Sequence, residues 1–232
     1  MLQTISGMFE IKQFSFNIFG ENTIVAWKDR TAAVIVDPGC YEESERAALT
    51  DFLSSEGITP AAIILTHAHP DHIFGVRFLQ EKYNIPVYMH PDDVPVLDYS
   101  EKLSSKLGLT PPDISFPFEP VKEGETVGIC GFNFEIIHTP GHTPGGVCYY
   151  DRAEGMIFTG DTLFAGTIGR SDLMMGDYDK LIVSVMDKLM LLDSAVEVYP
   201  GHGGKTTIGY ERMNNPFLEP FNEPESTESD PR

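Results

Sequence analysis

Apolar positions fall into short runs over the first third of the chain. Phe9-Glu10-Ile11-Lys12-Gln13-Phe14 alternates with a period of two, the mark of a half-buried strand. Asn22-Thr23-Ile24-Val25-Ala26-Trp27 and Ala32-Ala33-Val34-Ile35-Val36 follow as further strands, and Asp37-Pro38-Gly39 stops the third. Over residues 42–56 the period becomes helical. Leu49, Phe52 and Leu53 share one face there, and Gly57 stands just past the end. Ala61-Ala62-Ile63-Ile64-Leu65 is a continuous apolar run and predicts a buried strand, with a helix from residue 73 to about 83. Residues 86–90 predict another buried strand. Residues 91–117 break the pattern: a helical piece over 94–107 precedes Thr110-Pro111-Pro112-Asp113, as in a mobile insertion over a site.

A second β-rich half begins near Phe118, with strands expected at 125–129, 133–139, 146–150 and 156–159. Residues 177–192 predict a helix with Ile182, Val185, Met186 and Leu189 as its apolar stripe. A last strand is expected at 196–199 and a short helix after Thr206. Strands then helices, twice over, predict an α/β (α+β) domain of two mixed β-sheets packed together with helices outside. That domain is expected to span residues 1–221. Residues 222–232 are polar and acidic and are expected to form a disordered tail. Met8, where the first strand pattern begins, is a candidate start.

Composition narrows the partners. The 232-residue chain is 41% hydrophobic, enough for a sizeable core, and carries a net charge of −19 from 35 acidic and 16 basic residues. Binding phosphate backbones needs clustered Lys and Arg, so a nucleic-acid surface is not expected, nor binding to anionic membrane. Cys40, Cys130 and Cys148 are odd in number and have no CxxC spacing, so neither a disulfide framework nor a thiolate zinc site is predicted. Met1 to Phe9 has no charged and apolar leader pattern and no run is long enough for a membrane span, so a cytoplasmic location is expected. The oligomeric state is not legible.

The chemistry concentrates in Thr66-His67-Ala68-His69-Pro70-Asp71-His72, between the buried strand and the next helix. Three imidazoles and a carboxylate in one tight turn are donors for transition metals. Three more donors stand just after β-runs, each beside glycine: His142 in Thr139-Pro140-Gly141-His142-Thr143-Pro144-Gly145-Gly146, Asp161 in Phe158-Thr159-Gly160-Asp161-Thr162, and His202 in Tyr199-Pro200-Gly201-His202-Gly203-Gly204. Glycine lets a backbone approach a crowded centre.

THAHPDH, TPGHT, FTGDT and YPGHG, in that order, resemble the metallo-β-lactamase-fold hydrolases over nearly the whole chain, from about Met8 to Leu218. The resemblance implies a four-layer αββα sandwich with metals at one edge, between the sheets. It implies that His67, His69 and His142 bind one metal, that Asp71, His72 and His202 bind a second, and that Asp161 bridges them. The cofactor expected is two divalent ions, Zn2+ first, with Fe or Mn admitted by the same all-N/O donors. Coordination lowers the pKa of water from about 15.7 towards 7, so a metal-held hydroxide attacks and no Ser, Cys or Lys nucleophile is needed. Asp71 is expected to orient that hydroxide as well as to bind.

Within the fold, dizinc β-lactamases typically carry Cys where Asp161 stands, and flavodiiron oxidoreductases carry Glu where His69 stands. Both are disfavoured on that ground. The chain is most similar to glyoxalase II-like thioester hydrolases, of the hydroxyacylglutathione hydrolase type. The likeness rests on Ile168-Gly169-Arg170-Ser171-Asp172, Thr206-Thr207-Ile208-Gly209 and Asn215-Pro216-Phe217-Leu218. Only 30 residues follow His202, where full-length glyoxalase II has a helical domain that contacts glutathione. The thioester chemistry therefore transfers better than the glutathione specificity, and the expected substrate is a thioester of the S-acylglutathione type. Arg170 and Lys205 are the nearest basic residues in motif loops and are candidates to hold its carboxylate. The alternative is a mononuclear iron persulfide dioxygenase using His67, His142 and Asp161. Asp37 and His138 are expected to support ligand histidines from behind. His90 is expected to cap the element after its strand, and Asn22 and Thr23 to serve the turn between the first strands.

Overall fold

Consecutive residues of the central strands meet different partners, and that sorts the molecule into layers. The computed structural model describes residues 9–29 and 31–218; the candidate start at Met8 and the tail expected at 222–232 lie outside the described residues. In β2 (Glu21–Trp27) and β3 (Ala32–Val36), Ile24, Ala26, Val34 and Val36 face one apolar cluster while Val25, Trp27, Ala33 and Ile35 face another. A strand with two buried faces needs a sheet on one side and helices on the other.

The first sheet has the order β1 (Glu10–Phe16), β2, β3, β4 (Thr59–Ile64), β5 (Val87–Met89), β6 (Glu119–Pro120). It is antiparallel from β1 to β3 and parallel from β3 to β6. Its outer face packs against residues of α1 (Glu43–Glu56), α2 (Pro70–Ile73), α3 (Val76–Tyr83) and α4 (Val94–Lys106). The second sheet is built from β7 (Thr126–Ile129), β8 (Phe132–His138), β9 (Val147–Asp151), β10 (Met156–Gly160), β13 (Glu197–Pro200) and β14 (Thr206–Thr207), in the order β14-β13-β10-β9-β8-β7. The hairpin β11 (Leu163–Phe164) and β12 (Thr167–Ile168) stands apart. Residues of α5 (Tyr178–Asp187) and α6 (Ile208–Asn214) cover the second sheet's outer face. Phe132, Phe134, Tyr149 and Phe158 fill the space between the sheets with Ile24, Val34 and Ile64. Each such side chain contributes about 1.5–3 kcal/mol of burial. The fold is the expected αββα sandwich.

Three local expectations change. The helix from residue 73 to 83 is two helices, because Gly75 donates its amide to the Pro38 carbonyl at 2.8 Å and leaves no room for a side chain against Cys40. The helix over 177–192 ends at Asp187. Lys188 leaves helical geometry and a 3-10 turn over Leu189–Leu191 keeps Leu189 buried. The 91–117 segment is anchored rather than laid loosely over the site: Val96, Ser100 and Ser104 of α4 are buried, and the Ser100 hydroxyl donates to the Ala68 carbonyl at 2.7 Å. Among the described residues no helix is long and apolar enough to cross a membrane.

The sheets meet at one edge through the main chain. Val147 donates to the Thr66 carbonyl at 2.8 Å and Asn22 to the Gly201 carbonyl at 2.7 Å. The C-terminal ends of β3, β4, β10 and β13 all reach this edge.

Candidate metal centre

β4 delivers the His-rich turn to the edge. His67 and His69 lie in the extended stretch after it, and Pro70 starts α2, so Asp71 and His72 occupy a helical first turn rather than a loop. Ligand atoms of His67, His69 and His142 lie within 4.8 Å of one another, as do those of Asp71, His72 and His202. Asp161 stands between the two groups. Its Oδ1 is 3.4 Å from His72 Nε2, and its Oδ2 is 3.5 Å from His142 Nε2 and 3.6 Å from His202 Nε2. His202 is brought in by a bridge from its backbone to Glu21. Gly201 is required here, because a Cβ would stand 2.3 Å from Asp161 Oδ1 and 2.7 Å from the His72 ring. The structure thus brings together all seven donors.

Hydrogen bonds behind the site fix which nitrogens face it. Asp37 accepts from the Thr66 amide at 2.7 Å and the Thr66 hydroxyl at 2.5 Å, and its Oδ2 lies 3.0 Å from His72 Nδ1. A carboxylate only accepts, so His72 carries hydrogen on Nδ1 and turns Nε2 inward. The Thr66 proton is committed to Asp37, so the hydroxyl accepts from His67 Nδ1 at 3.1 Å, and His67 also turns Nε2 inward. His142 Nδ1 donates to the Arg170 carbonyl at 2.6 Å, leaving Nε2 2.8 Å from His69 Nδ1. Orientation of ligand imidazoles by outer acceptors is the usual arrangement of a metal site. His67 Nε2, His69 Nε2, His72 Nε2 and Asp161 Oδ1 are buried without a hydrogen-bond partner. Buried lone pairs left open cost free energy unless something binds them. These residues fit divalent metal ions.

The charges fit as well. Burial, with His72 and His142 as like-charged neighbours, holds His67 neutral, well below the ordinary range. Burial beside His142 lowers His69 to about 3. For Asp161 and Asp71 burial opposes ionisation, yet His72 beside both keeps them below the usual carboxylate range. For His72 burial opposes a charge, yet Asp161 and Asp71 raise it well above the ordinary value. His202 is likewise raised, against burial, by its hydrogen bond to Asp71.

Other candidates fall elsewhere. His138 contacts no ligand imidazole: its ring stacks on His90 with centroids 4.3 Å apart, and Nε2 donates to the Pro144 carbonyl at 2.9 Å. It braces the loop that carries His142. His90 caps the turn over Pro91–Asp93 by accepting from the Asp92 amide. The His90, Asp92 and His138 donors also cluster within 4.8 Å. Their parallel rings cannot both aim in-plane lone pairs at one ion, and the bonds to Asp92 and Pro144 already use one nitrogen of each. Lys205 pairs with Glu197 at 2.8 Å, off the site. Arg170 reaches the site's cavity but donates from Nε and Nη2 to Asp172 at 2.8 and 2.9 Å. Asn22 does not serve a turn. Its amide donates to the Pro200 and Gly203 carbonyls at 3.0 and 2.9 Å and holds the His202 loop.

Asp93 has no motif around it, yet it ties two donor loops together. It accepts from the Ala68 amide at 2.9 Å, the Thr143 hydroxyl at 3.0 Å and the Gly145 amide at 2.6 Å. Burial pushes its carboxyl up to about 6, so it is ionised at neutral pH. Only its place at the end of the turn after β5 hinted at a role, since its partners lie 25 to 52 residues away.

Above the donors opens a cavity of about 650 Å³. His69, Asp71, His142, Asp161 and His202 form its floor, and Phe19, Leu103, Leu107, Phe164, Ile168 and Leu173 its wall.

A model of the metallo-beta-lactamase superfamily matches residues 17–202. Hydroxyacylglutathione hydrolase GloC of Haemophilus influenzae is 36% identical over 204 residues, covering 86% of this chain and 93% of that protein. The crystal structure of BLEG-1 B3 metallo-beta-lactamase superposes with a TM-score of 0.82 at 40% identity, covering 90% of this chain and 99% of that one. That of TTHA1623 in a di-iron-bound form does so with a TM-score of 0.78 at 36% identity, covering 89% and 100%. With the family match extending over the stretch that holds all seven donors and all but one edge strand of each sheet, the chain belongs to the metallo-beta-lactamase superfamily.

Proposed function

We propose that this protein is a dinuclear metal-dependent hydrolase of small thioesters, of the glyoxalase II type. His67, His69 and His142 would hold one metal and Asp71, His72 and His202 the other, with Asp161 placed between the two groups to serve both. The observation that carries this is the set of buried, unpartnered ligand atoms on His67, His72 and Asp161, with His69 Nδ1 and His142 Nε2 brought to 2.8 Å of each other beside them, all from distant turns. Bound there, two divalent ions, Zn2+ first and Fe or Mn also suited, supply a water ionised near neutral pH and a positive field for a carbonyl oxygen.

The chain's own residues do the rest. Asp71, kept ionised against its burial by His72 and His202, accepts a proton of the attacking water and sets its direction. Asp37 and Thr66 keep the His72 and His67 lone pairs aimed inward. The apolar cavity wall stands around the donors, beside the place of the scissile bond.

A mononuclear iron dioxygenase would use His67, His142 and Asp161 and leave four further convergent donors idle, so the hydrolase is preferred. The 40% identity to a B3 metallo-beta-lactamase favours a second substrate class, β-lactams, against the expectation drawn from Asp161. The test pairs metal analysis with three assays: S-lactoylglutathione hydrolysis, cephalosporin hydrolysis, and O2 uptake with glutathione persulfide. About two metals per chain with chelator-sensitive thioester cleavage is expected. Cephalosporin cleavage without thioester cleavage replaces the substrate class, and a single iron with O2 uptake overturns the reading.

A further inference from the structure

The wall of the metal cavity is apolar and its floor is not. Phe19 comes from the turn between β1 and β2, Leu103 and Leu107 from the end of α4, Phe164 and Ile168 from the β11–β12 hairpin, and Leu173 from the loop before α5. Phe19 and Leu107 are 40% and 51% exposed. A lone exposed apolar side chain is ordinary. Here apolar side chains from four separate segments line one opening, above a site that needs none of them to hold its donors. An apolar wall around a few fixed polar groups is how small-molecule sites recognise carbon.

Charge points the same way. Arg170 is the one cation in that wall among the described residues, and it stands exposed with its fork turned to Asp172. Lys205 pairs with Glu197 away from the cavity. A glutathione moiety brings two carboxylates, for which this wall offers one exposed arginine on a chain of net charge −19.

We propose that the substrate carries an uncharged alkyl chain of medium length next to its scissile carbonyl, and that Leu103, Leu107, Phe164 and Leu173 bind it. This rests on the hydrolase reading above. The chain could stand on the acyl side or on the thiol side, and the wall's chemistry is the same for both.

The test uses the full-length, metal-loaded protein. kcat/KM is measured for acetyl, butanoyl, hexanoyl and octanoyl thioesters of N-acetylcysteamine, for hexyl thioacetate, and for S-lactoylglutathione. Each methylene fully buried on such a wall is worth about fourfold in affinity. Hexanoyl is therefore expected to exceed acetyl by at least about thirtyfold, and to exceed lactoylglutathione, if the acyl side is bound. If the thiol side is bound, hexyl thioacetate takes that place. A flat series in both arms, or preference for lactoylglutathione, overturns the proposal and leaves the hydrolase standing. A second readout needs no turnover: calorimetry of S-hexyl-N-acetylcysteamine against S-methyl-N-acetylcysteamine is expected to show at least about tenfold tighter binding of the hexyl form. That result without any thioester cleavage supports the wall and removes the thioester reaction; equal binding overturns the wall. Leu107→Glu, at a position 51% exposed, should flatten the chain-length ratio at least about fivefold; an unchanged ratio overturns the assignment of α4.

Discussion

The floor of the cavity and its wall are built by opposite rules. Floor side chains are buried or half-buried, and hydrogen bonds fix the histidines among and behind them: His67 to Thr66, His72 to Asp37 and His142 to the Arg170 carbonyl. The apolar wall side chains have no such bonds to fix them, and Leu107 stays half in water. A metal site needs donors fixed within a fraction of an ångström, so each must be over-determined. A surface that binds carbon by area needs only shape. Substitutions in the floor should therefore be costly and specific, while those in the wall should be graded.

The largest effect expected is at the point where both donor groups meet. Asp161→Ala removes the carboxylate that faces His72, His142 and His202. It should lower kcat/KM by about a thousandfold or more and reduce bound metal, read by metal analysis on the purified variant. Activity within tenfold of the parent takes this residue out of the centre.

Asp93 comes next, through the fold rather than the chemistry. Asp93→Ala leaves the Ala68 and Gly145 amides and the Thr143 hydroxyl without their buried acceptor. The cost should be about 2–4 kcal/mol of stability, measured by denaturant unfolding, with weaker metal retention because both histidine loops loosen. A loss below about 0.5 kcal/mol makes the three bonds dispensable.

Asp37→Asn tests orientation alone. Asp37 sits at φ +46°, a conformation Asn also accepts, so the backbone should stay. An amide cannot accept at both positions, and its NH2 would force His72 to accept at Nδ1 and point N–H at the metal. Metal affinity should fall about 10- to 100-fold with little loss of folding stability. Equal affinity means that the Asp37 to His72 bond is incidental.

The sequence carried the floor further than it carried anything else. The donors are recognisable because their type, spacing and flanking glycines are local, as in Thr66 to His72. The strands were legible because β2 and β3 are short, nearly continuous apolar runs, buried on both faces. Asp93 and Asn22 were not legible as supports, since each acts on loops that are distant in sequence. Lys205 stood in a motif loop and was drawn away by Glu197 across the β13–β14 pair. Leu103 and Leu107 fit a helix pattern, but periodicity says nothing about whether an exposed face meets water or a cavity.

Proton release separates the floor from the wall again, at smaller amplitude. In the metal-free protein burial opposes the His72 and His202 charges, yet their carboxylate neighbours raise both above the ordinary histidine value. Below those raised values each holds a proton, and a metal must displace it. Metal binding at pH 7 should therefore release about one to two protons per chain, read by calorimetry in two buffers of different ionisation enthalpy. The sign follows: apparent metal affinity rises with pH until His72 is neutral without metal, then levels. Stability that His72 gives the metal-free protein runs the other way, being complete below the ordinary histidine value and lost as pH rises through its raised one. Affinity that does not change between pH 6 and 8 contradicts the protonated state assigned to His72.

The smallest effect should come from the cation that the motif loop made conspicuous. Lys205 pairs with Glu197 on the protein surface and does not reach the cavity. An exposed pair of this kind is worth little, because water screens it and two long side chains must be ordered to make it. Lys205→Ala should change kcat/KM for any thioester by less than about twofold, whatever charge the substrate bears. A selective rise in KM for anionic substrates alone would mean that Lys205 swings from Glu197 to the cavity when substrate arrives. The wall would then read charge as well as carbon, and the contrast with the floor would narrow to the rigidity of the donors.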